Sequence, residues 1–243
     1  MWFTSSWDDG HPMDLRVAEL MARHGITGTF YCPLHNGEGL PVMSAAEMRS
    51  LDGPFEVGSH TRDHAYANRM PPAAWAAQVA QGKAQLEDRL GHAVQGFCYP
   101  GGKLRPGSAA TVRDAGFSYA RTTENFRVDC GVDRLLVPTS LQFFPHPRQV
   151  LLRNFVTRGH WGRRLALATA CLATADFEQR LRGALDTCVR ADAGFHLWGH
   201  SWEIDRHGLW PQLDRFFAHA AATVAPSSRL TNAALLRSQG LLA

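Results

Sequence analysis

Residues 4–10 of the chain, TSSWDDG, place two adjacent carboxylates, Asp8 and Asp9, and then a glycine directly after a short β-prone run. Neighbouring side chains on an extended segment point in opposite directions. Two carboxylates at a strand end can therefore perform different tasks, one binding a cation and the other moving protons. The rest of such a site has to come from elsewhere in the chain.

Three further segments repeat this design, in which a short apolar or β-prone run ends in a polar cluster. GPFEVGS precedes His60, QGFCYP precedes Gly101, and AGFHLWG precedes His200. Between these runs, the apolar spacing and the terminal signals predict helices over 12–24, 71–90, 175–190, 208–222 and 231–238. Alternating strands and helices predict an α/β fold with parallel strands and helices packed outside them. Functional groups gather at the carboxyl ends of such strands, so we expect one shared site.

The length and the apolar content indicate one domain over residues 1–243. The chain has 243 residues and is 45% hydrophobic, which is enough for one large core. Its least regular part is 123–160, which mixes prolines, aromatic residues and basic residues. We interpret this part as an insertion or long loop with a short helix near 147–155. It would cover a substrate site or contact a partner.

The net charge and the cysteine content exclude some classes of function and indicate a cellular compartment. The formal net charge is +3 and there is no long basic run, so nucleic acid is not expected as a partner. The sequence shows neither a signal peptide nor a run of apolar residues long enough to span a membrane. The cysteines are odd in number and lie far apart, which favours reduced thiols and a cytoplasmic location. They are Cys32, Cys98, Cys130, Cys171 and Cys188.

The segment GSHTRDHAY holds His60 and His64 in an H-x-x-x-H spacing. On a helical turn or across a tight loop, two such imidazoles can reach one metal ion. Together with a carboxylate at a strand end they form a set of two histidines and one acid, which leaves positions for water and substrate. Zinc in such a site lowers the pKa of bound water and polarises a carbonyl group.

The order of these motifs resembles the polysaccharide deacetylase family, that is, the chitooligosaccharide deacetylase homology domain of the carbohydrate esterase type. SWDDG (6–10) is similar to the first motif, T-F-D-D-G, and HTRDH (60–64) is similar to the second, H-[ST]-x-x-H. CYPGG (98–102) and FHLWGH (195–200) resemble the third and the last motifs. The resemblance implies a distorted (β/α) barrel of about seven parallel strands in a single domain.

The resemblance also implies a role for each motif residue. Asp8 would be the general base and His200 the general acid. One divalent ion, with Zn²⁺ expected first and Co²⁺, Ni²⁺ or Fe²⁺ as alternatives, would be held by Asp9, His60 and His64. The backbone N–H near Gly101 would help to stabilise the oxyanion. Tyr99 and Trp198 are predicted substrate contacts, and Trp198, Trp202 and Trp210 could stack on a sugar ring or pack in the core or a lid.

Two motifs depart from the family pattern. The third motif of the family usually starts with an arginine that tethers the base, but Cys98 stands in that place. Arg121 could supply this cation from the next strand, and a structural surface arginine is the alternative. The fourth motif, which orients the catalytic histidine, has no clear match; the candidates are Glu124, Glu203 and Asp205. We interpret His196 as a buried histidine with its polar atoms satisfied.

The sequence therefore predicts a metal-dependent hydrolase that removes an N-acyl group, by default acetyl, from an amino sugar in a biosynthetic pathway. The expected substrate is a small molecule or a nucleotide-linked or lipid-linked sugar. One alternative is a metal-independent, allantoinase-like amidase of the same fold. The other is a non-catalytic, carbohydrate-binding pseudoenzyme, which the altered third and fourth motifs would explain.

Overall fold

Seven parallel strands form the centre of the fold in the computed structural model, which describes residues 1–157 and 159–242. The strands are β1 (Phe3–Asp8), β2 (Thr29–Cys32), β3 (Glu56–Ser59), β4 (Gly96–Cys98), β5 (Tyr119–Arg121), β6 (Leu141–Gln142) and β7 (Phe195–Gly199). Their order across the sheet is β5-β4-β3-β2-β1-β7-β6, and the sheet curls into a half-barrel. The predicted α/β fold with about seven parallel strands is confirmed.

Helices follow or precede most strands and cover the outside of the sheet. They are α1 (Asp14–Arg23), α2 (Ala45–Leu51), α3 (Pro72–Leu90), α4 (Ser108–Asp114), α5 (Arg148–Thr157), α6 (Trp161–Leu172), α7 (Phe177–Arg190), α8 (Ser201–Arg206), α9 (Trp210–Thr223) and α10 (Asn232–Ser238). The five predicted helices correspond to α1, α3, α7, α9 and α10, whereas α2, α4, α6 and α8 were not predicted. Among the helices of the described ranges, none has the length and apolarity that crossing a bilayer needs.

Local capping signals explain where these helices begin and end. The side chain of Asp176 accepts a hydrogen bond of 2.7 Å from the backbone N–H of Gln179 at the start of α7. Pro72 occupies the first turn of α3, and Gly91 ends that helix with a φ of 82°. Such signals are local in sequence, so the helix ends could be predicted closely.

The alternation of side chains on β1 gives the barrel a polar interior. Phe3 and Trp7 point outwards and contact phenylalanine rings of α9. Thr4 and Ser6 point inwards and form hydrogen bonds with side chains of α10 and β7, respectively. Asp8 continues this inward series at the carboxyl end of the strand. A column of buried polar groups therefore leads up to the first motif.

The segment 123–160 takes part in the sheet, which the sequence analysis did not predict. Val137 pairs in parallel with Arg121 at the end of β5. A few residues later, the N–H groups of Ser140 and Phe143 donate to backbone carbonyls of β7. One short segment thus bridges the two ends of the half-barrel. The helix predicted near 147–155 is confirmed as α5.

Candidate metal centre

The loops after β1 and β3 bring the predicted metal ligands together. Asp9 is the first residue after β1, His60 follows β3, and His64 lies in the same loop as His60. Oδ1 of Asp9 lies 3.0 Å from Nε2 of His64 and 3.6 Å from Nε2 of His60. All three side chains are buried. The three residues therefore form one cluster whose ligand atoms converge.

The chemistry of this cluster fits a divalent cation. Nδ1 of His60 lies 2.8 Å from the carbonyl oxygen of Cys98, so it donates there and leaves the Nε2 lone pair directed at the cluster. Burial lowers the pKa of His60 to about 4, so the ring is neutral near pH 7, as a metal ligand must be. Oδ1 of Asp9 is buried without a hydrogen bond. A carboxylate oxygen and imidazole lone pairs that are buried away from water are stabilised by a cation bound between them.

Backbone strain is concentrated in the two ligand loops. Asp9, Thr61 and His64 have φ values of 78°, 67° and 55°. Residues other than glycine rarely adopt these backbone angles, and each such residue lowers the stability of the fold by about 1–3 kcal/mol. The strain aims Asp9 and His64 at the cluster, so the fold sustains an unfavourable backbone in order to hold the ligand set.

Asp8, the candidate base, is anchored by an arginine from another strand. Nη2 of Arg121 donates a hydrogen bond to Oδ1 of Asp8, and the guanidinium is fully buried. Cys98 lies next to Arg121 across β4 and β5, and its thiol is 3.7 Å from Oδ2 of Asp8. Burial lowers the pKa of Arg121, but the negative charge of Asp8 outweighs this effect and holds it above its ordinary value. The candidate Arg121 is thus the tether of Asp8, and the surface-arginine alternative is wrong.

His200, the candidate acid, directly follows β7 and is held by a carboxylate of α8. Nδ1 of His200 lies 2.7 Å from Oε2 of Glu203, which also accepts a hydrogen bond of 3.2 Å from Nε2 of Gln142. Burial lowers the pKa of His200, but the carboxylates of Asp9 and Glu203 outweigh it and raise the pKa to about 9. Glu203 therefore occupies the orienting position that the fourth motif left open.

The other two candidates for that position lie elsewhere. Glu124 accepts hydrogen bonds from Arg127 and contacts His160. Asp205 accepts a hydrogen bond from the indole N–H of Trp210, which is buried beside α9. Neither acid contacts His200 through the bonds that the described residues show, and Trp210 does not present its ring to the site.

Two tryptophans form part of the wall around the cluster. The indole N–H of Trp202 donates a hydrogen bond of 2.8 Å to Oδ2 of Asp9, a contact that sequence reasoning missed. Trp198 is buried, and its ring packs 5.1 Å from the guanidinium of Arg121 and 5.6 Å from the ring of His200. Protein groups cover most of its ring, and its contact with substrate stays a prediction.

The predictions for Tyr99 and Gly101 have different outcomes. Tyr99 is fully buried, its hydroxyl donates to the backbone carbonyl of Leu135, and its ring packs against Phe97. The side chains of Cys98 and Tyr99 alternate, so Tyr99 points away from Asp8 and the predicted substrate contact is wrong. Gly101 is exposed in a turn with a φ of 57°, where a Cβ atom would lie 2.7 Å from the ring of Tyr66.

Gly101 lies at the rim of the cluster, because the Tyr66 ring beside it is 5.4 Å from the ring of His64. Its oxyanion role stays a prediction. His196, by contrast, lies 2.9 Å from the hydroxyl of Ser6, and burial lowers its pKa well below the ordinary value. It is buried, as the sequence indicated, but its Nδ1 has no hydrogen-bond partner among the described residues, so the expectation that its polar atoms are satisfied is not confirmed.

Asp14, the first residue of α1, is a buried acid that sequence reasoning missed. Its carboxyl group is fully buried, and burial raises its pKa well above the ordinary value. An acid in the first turn of a helix is common, so the sequence offered no signal of this burial. All five cysteines are buried and unpaired.

Comparisons with known proteins identify the same family as the motifs. Residues 3–120 match the family described as polysaccharide deacetylase. A Mycobacterium smegmatis protein described as a candidate polysaccharide deacetylase aligns with a TM-score of 0.64 at 15% identity, over 98% of this chain and 91% of that one. The Bc1960 peptidoglycan N-acetylglucosamine deacetylase aligns with a TM-score of 0.56 at 13% identity, over 95% of this chain and 85% of that one.

A Streptococcus pyogenes deacetylase in complex with acetate aligns with a TM-score of 0.51 at 13% identity, over 56% of this chain and 62% of that one. No curated protein matches the sequence. At these identities the solved structures support the fold alone, and the match over residues 3–120, which is just under half of the chain, agrees with the family that the motifs resemble.

Proposed function

We propose that this chain, a member of the polysaccharide deacetylase family, is a metal-dependent hydrolase that removes an acetyl group from the nitrogen of an amino sugar. One observation carries the proposal. A buried cluster of Asp9, His60 and His64 lies between a carboxylate and an imidazole, Asp8 and His200, that each have a charged partner of their own.

Amide hydrolysis needs an activated water, an electrophile on the carbonyl oxygen and an acid for the departing nitrogen. A divalent ion, when bound by the cluster, would supply the electrophile and lower the pKa of water. Asp8 accepts the proton of the attacking water. Its Oδ1 is fixed by Arg121. Its Oδ2 accepts a hydrogen bond, among the described residues, only from the weakly donating thiol of Cys98, so this oxygen takes the proton.

His200 delivers a proton to the leaving amine from the other side. Burial lowers its pKa, but the carboxylates of Asp9 and Glu203 outweigh this effect and favour the protonated ring, and the contact with Glu203 fixes which nitrogen faces Glu203. Nε2 is therefore the nitrogen that donates. The two proton transfers of the reaction are assigned to two separate groups, which agrees with the different surroundings of Asp8 and His200.

The two alternative functions each conflict with a feature of the site. A metal-independent amidase does not need the converging trio, yet Asp9 and His64 are held in strained backbone to form it. A pseudoenzyme was suggested by the altered motifs, but Arg121 and Glu203 supply from other positions the contacts that those motifs would make.

The finer points of the proposal concern substrate and location. We propose Zn²⁺ as the metal, because the ligand set of two imidazoles and one carboxylate suits it. The proposed substrate is an N-acetylated amino sugar of a biosynthetic pathway, either free or linked to a nucleotide or a lipid. The five buried free thiols support a reducing compartment such as the cytoplasm.

The proposal is tested by acetate release from N-acetylated amino sugars, measured together with the metal content of the purified protein. We expect Asp8→Asn to lower kcat by roughly 10²–10⁴ while the metal is retained, since that is the usual contribution of general acid–base catalysis. Asp114→Asn, an exposed acid of α4, is the control and should leave the rate unchanged. Full activity of Asp8→Asn would refute the role of this residue.

A further inference from the structure

The large apolar side chains that are exposed in the described residues lie in one part of the chain. Within the described ranges, every large apolar side chain that is strongly exposed lies between 132 and 165, namely Val132, Leu136, Leu152, Val156, Trp161 and Leu165. We call these six residues the apolar patch. Exposed apolar groups that are scattered singly need no explanation, but a group confined to one surface marks an interaction site.

The patch is built from two neighbouring helices. Leu152 and Val156 are four residues apart on α5, and Trp161 and Leu165 are four apart on α6, so each pair lies on one face of its helix. The indole N–H of Trp161 donates a hydrogen bond of 3.2 Å to the carbonyl oxygen of Val156, which joins the two faces. Trp161 is 59% exposed, so most of its ring is free to contact another surface.

The same part of the chain is strongly basic. Residues 134–175 contain six arginines and no Asp or Glu, although the whole chain has a net charge of only +3. Arg148, Arg153 and Arg163 are exposed on α5 and α6. The two helices of the patch therefore combine apolar side chains with arginines and carry no acid of their own, whereas Asp133 lies beside Val132 and Asp129 lies near Arg163.

The patch begins at the same end of the sheet as the metal centre. Nδ1 of His160, which directly precedes α6, lies 3.0 Å from Oε1 of Glu124, and Glu124 follows the end of β5. The buried guanidinium of Arg164 donates to the backbone carbonyl of Asn125, whose side chain accepts the indole N–H of Trp198 in the site wall. A surface that covered Trp161 would thus lie close to the entrance of the site.

We propose that α5 and α6 dock on an anionic lipid bilayer through the apolar patch and its arginines. Tryptophan, leucine and arginine on the exposed faces of helices are typical of segments that lie in the membrane interface. Arginine stems extend along the apolar region while the guanidinium groups meet lipid phosphates. A second copy of this chain fits less well, because α5 and α6 carry exposed arginines and no acid, so these helices would bring like charges together.

The docking does not rest on the proposed deacetylase activity. If both hold, the lipid-linked form of the amino sugar becomes the favoured substrate class, because docking brings the site entrance to a membrane-anchored sugar. Substitutions in the patch should leave the activity on soluble substrates unchanged. A failure of docking can therefore be distinguished from a failure of the proposed function.

The test is sedimentation of the full chain with vesicles of phosphatidylcholine alone and of phosphatidylcholine mixed with phosphatidylglycerol. We expect binding to the anionic vesicles only, and weaker binding as NaCl is added. Arg153→Gln and Arg163→Gln should each lower the affinity about fivefold. Trp161→Ser should lower it roughly tenfold through lost apolar area, whereas Trp161→Phe should retain most of it.

The matched control is Arg190→Gln. Arg190 is exposed at the carboxyl end of α7, and the chain then enters the start of β7. This residue therefore lies at the opposite end of the sheet from the site. The variant should bind like the unaltered protein. The proposal is overturned if anionic vesicles are not bound, or if binding does not change in the Trp161→Ser and arginine variants. It is also overturned if the protein is a dimer that Trp161→Ser converts to a monomer, because a second copy would then cover the patch.

Discussion

Replacing Glu203 by Gln should move the alkaline limb of the pH–rate profile to lower pH. Catalysis requires protonated His200, so kcat/KM falls as the pH rises through the pKa of this ring, which the surrounding carboxylates raise to about 9. Nδ1 of His200 and Oε2 of Glu203 are 2.7 Å apart, and both side chains are mostly buried. A hydrogen bond between charged groups contributes about 1.5–3 kcal/mol.

One pKa unit corresponds to about 1.36 kcal/mol, so the loss of the Glu203 charge should shift the limb down by roughly 1–2 units. A bound cation lowers the pKa of His200 in both proteins, and the comparison of the two proteins removes this effect. Gln is isosteric with Glu and can still accept the Nδ1–H bond. The rate well below the limb should therefore change much less than the position of the limb.

The assay is kcat/KM for acetate release across the alkaline range with the metal saturating. Asp205→Asn is the control, because Asp205 lies on the same short helix but accepts its hydrogen bond from Trp210. Its profile should coincide with that of the unaltered protein. The reasoning is refuted if the limb of Glu203→Gln stays in place, or if Asp205→Asn shifts it by the same amount.

Three further outcomes follow from the site. Arg121→Gln should lower the free energy of unfolding in urea by about 3–5 kcal/mol, because it leaves the buried carboxylate of Asp8 without its cation, and adding Asp8→Asn should recover part of that loss. Trp202→Phe should weaken Zn²⁺ binding roughly 10–100-fold in chelator competition, because the hydrogen bond that orients Asp9 is lost. Dialysis against a chelator should abolish acetate release and lower the unfolding temperature, and added Zn²⁺ should restore both.

The sequence predicted the parts of the fold that carry local signals. The four strands that end in a motif were recognised, and so were the helices with clear apolar stripes and caps. The strand of Arg121, β5, was also expected, whereas β2 and β6 are short and are not followed by a motif that would mark them. β6 exists only because its backbone pairs with β7, a contact across more than fifty residues that no local pattern records.

The site residues divide in the same way, into those that a local sequence signal marks and those that it does not. His60 and His64 were found from their spacing, and the resemblance of SWDDG to the first motif of the family marked Asp9 as the third ligand. Tyr99 was assigned wrongly because the sequence does not state which face of a strand the site uses, whereas Trp198 lies on the side of β7 that faces Arg121 and His200. The hydrogen bond from Trp202 to Asp9 could not be foreseen, since it joins the end of β1 to a helix that begins after β7.

The arginine tether shows why a motif can be altered while the contact survives. Cys98 and Arg121 are neighbours across β4 and β5, and both side chains are fully buried and reach Asp8. The guanidinium that reaches Asp8 comes from β5 here, whereas the family pattern places an arginine at the position of Cys98 on β4. An arginine at position 98 would compete with Arg121 for the same carboxylate oxygens and bury a second positive charge. The two positions therefore depend on each other, and a small side chain at 98 is what the location of the arginine on β5 requires.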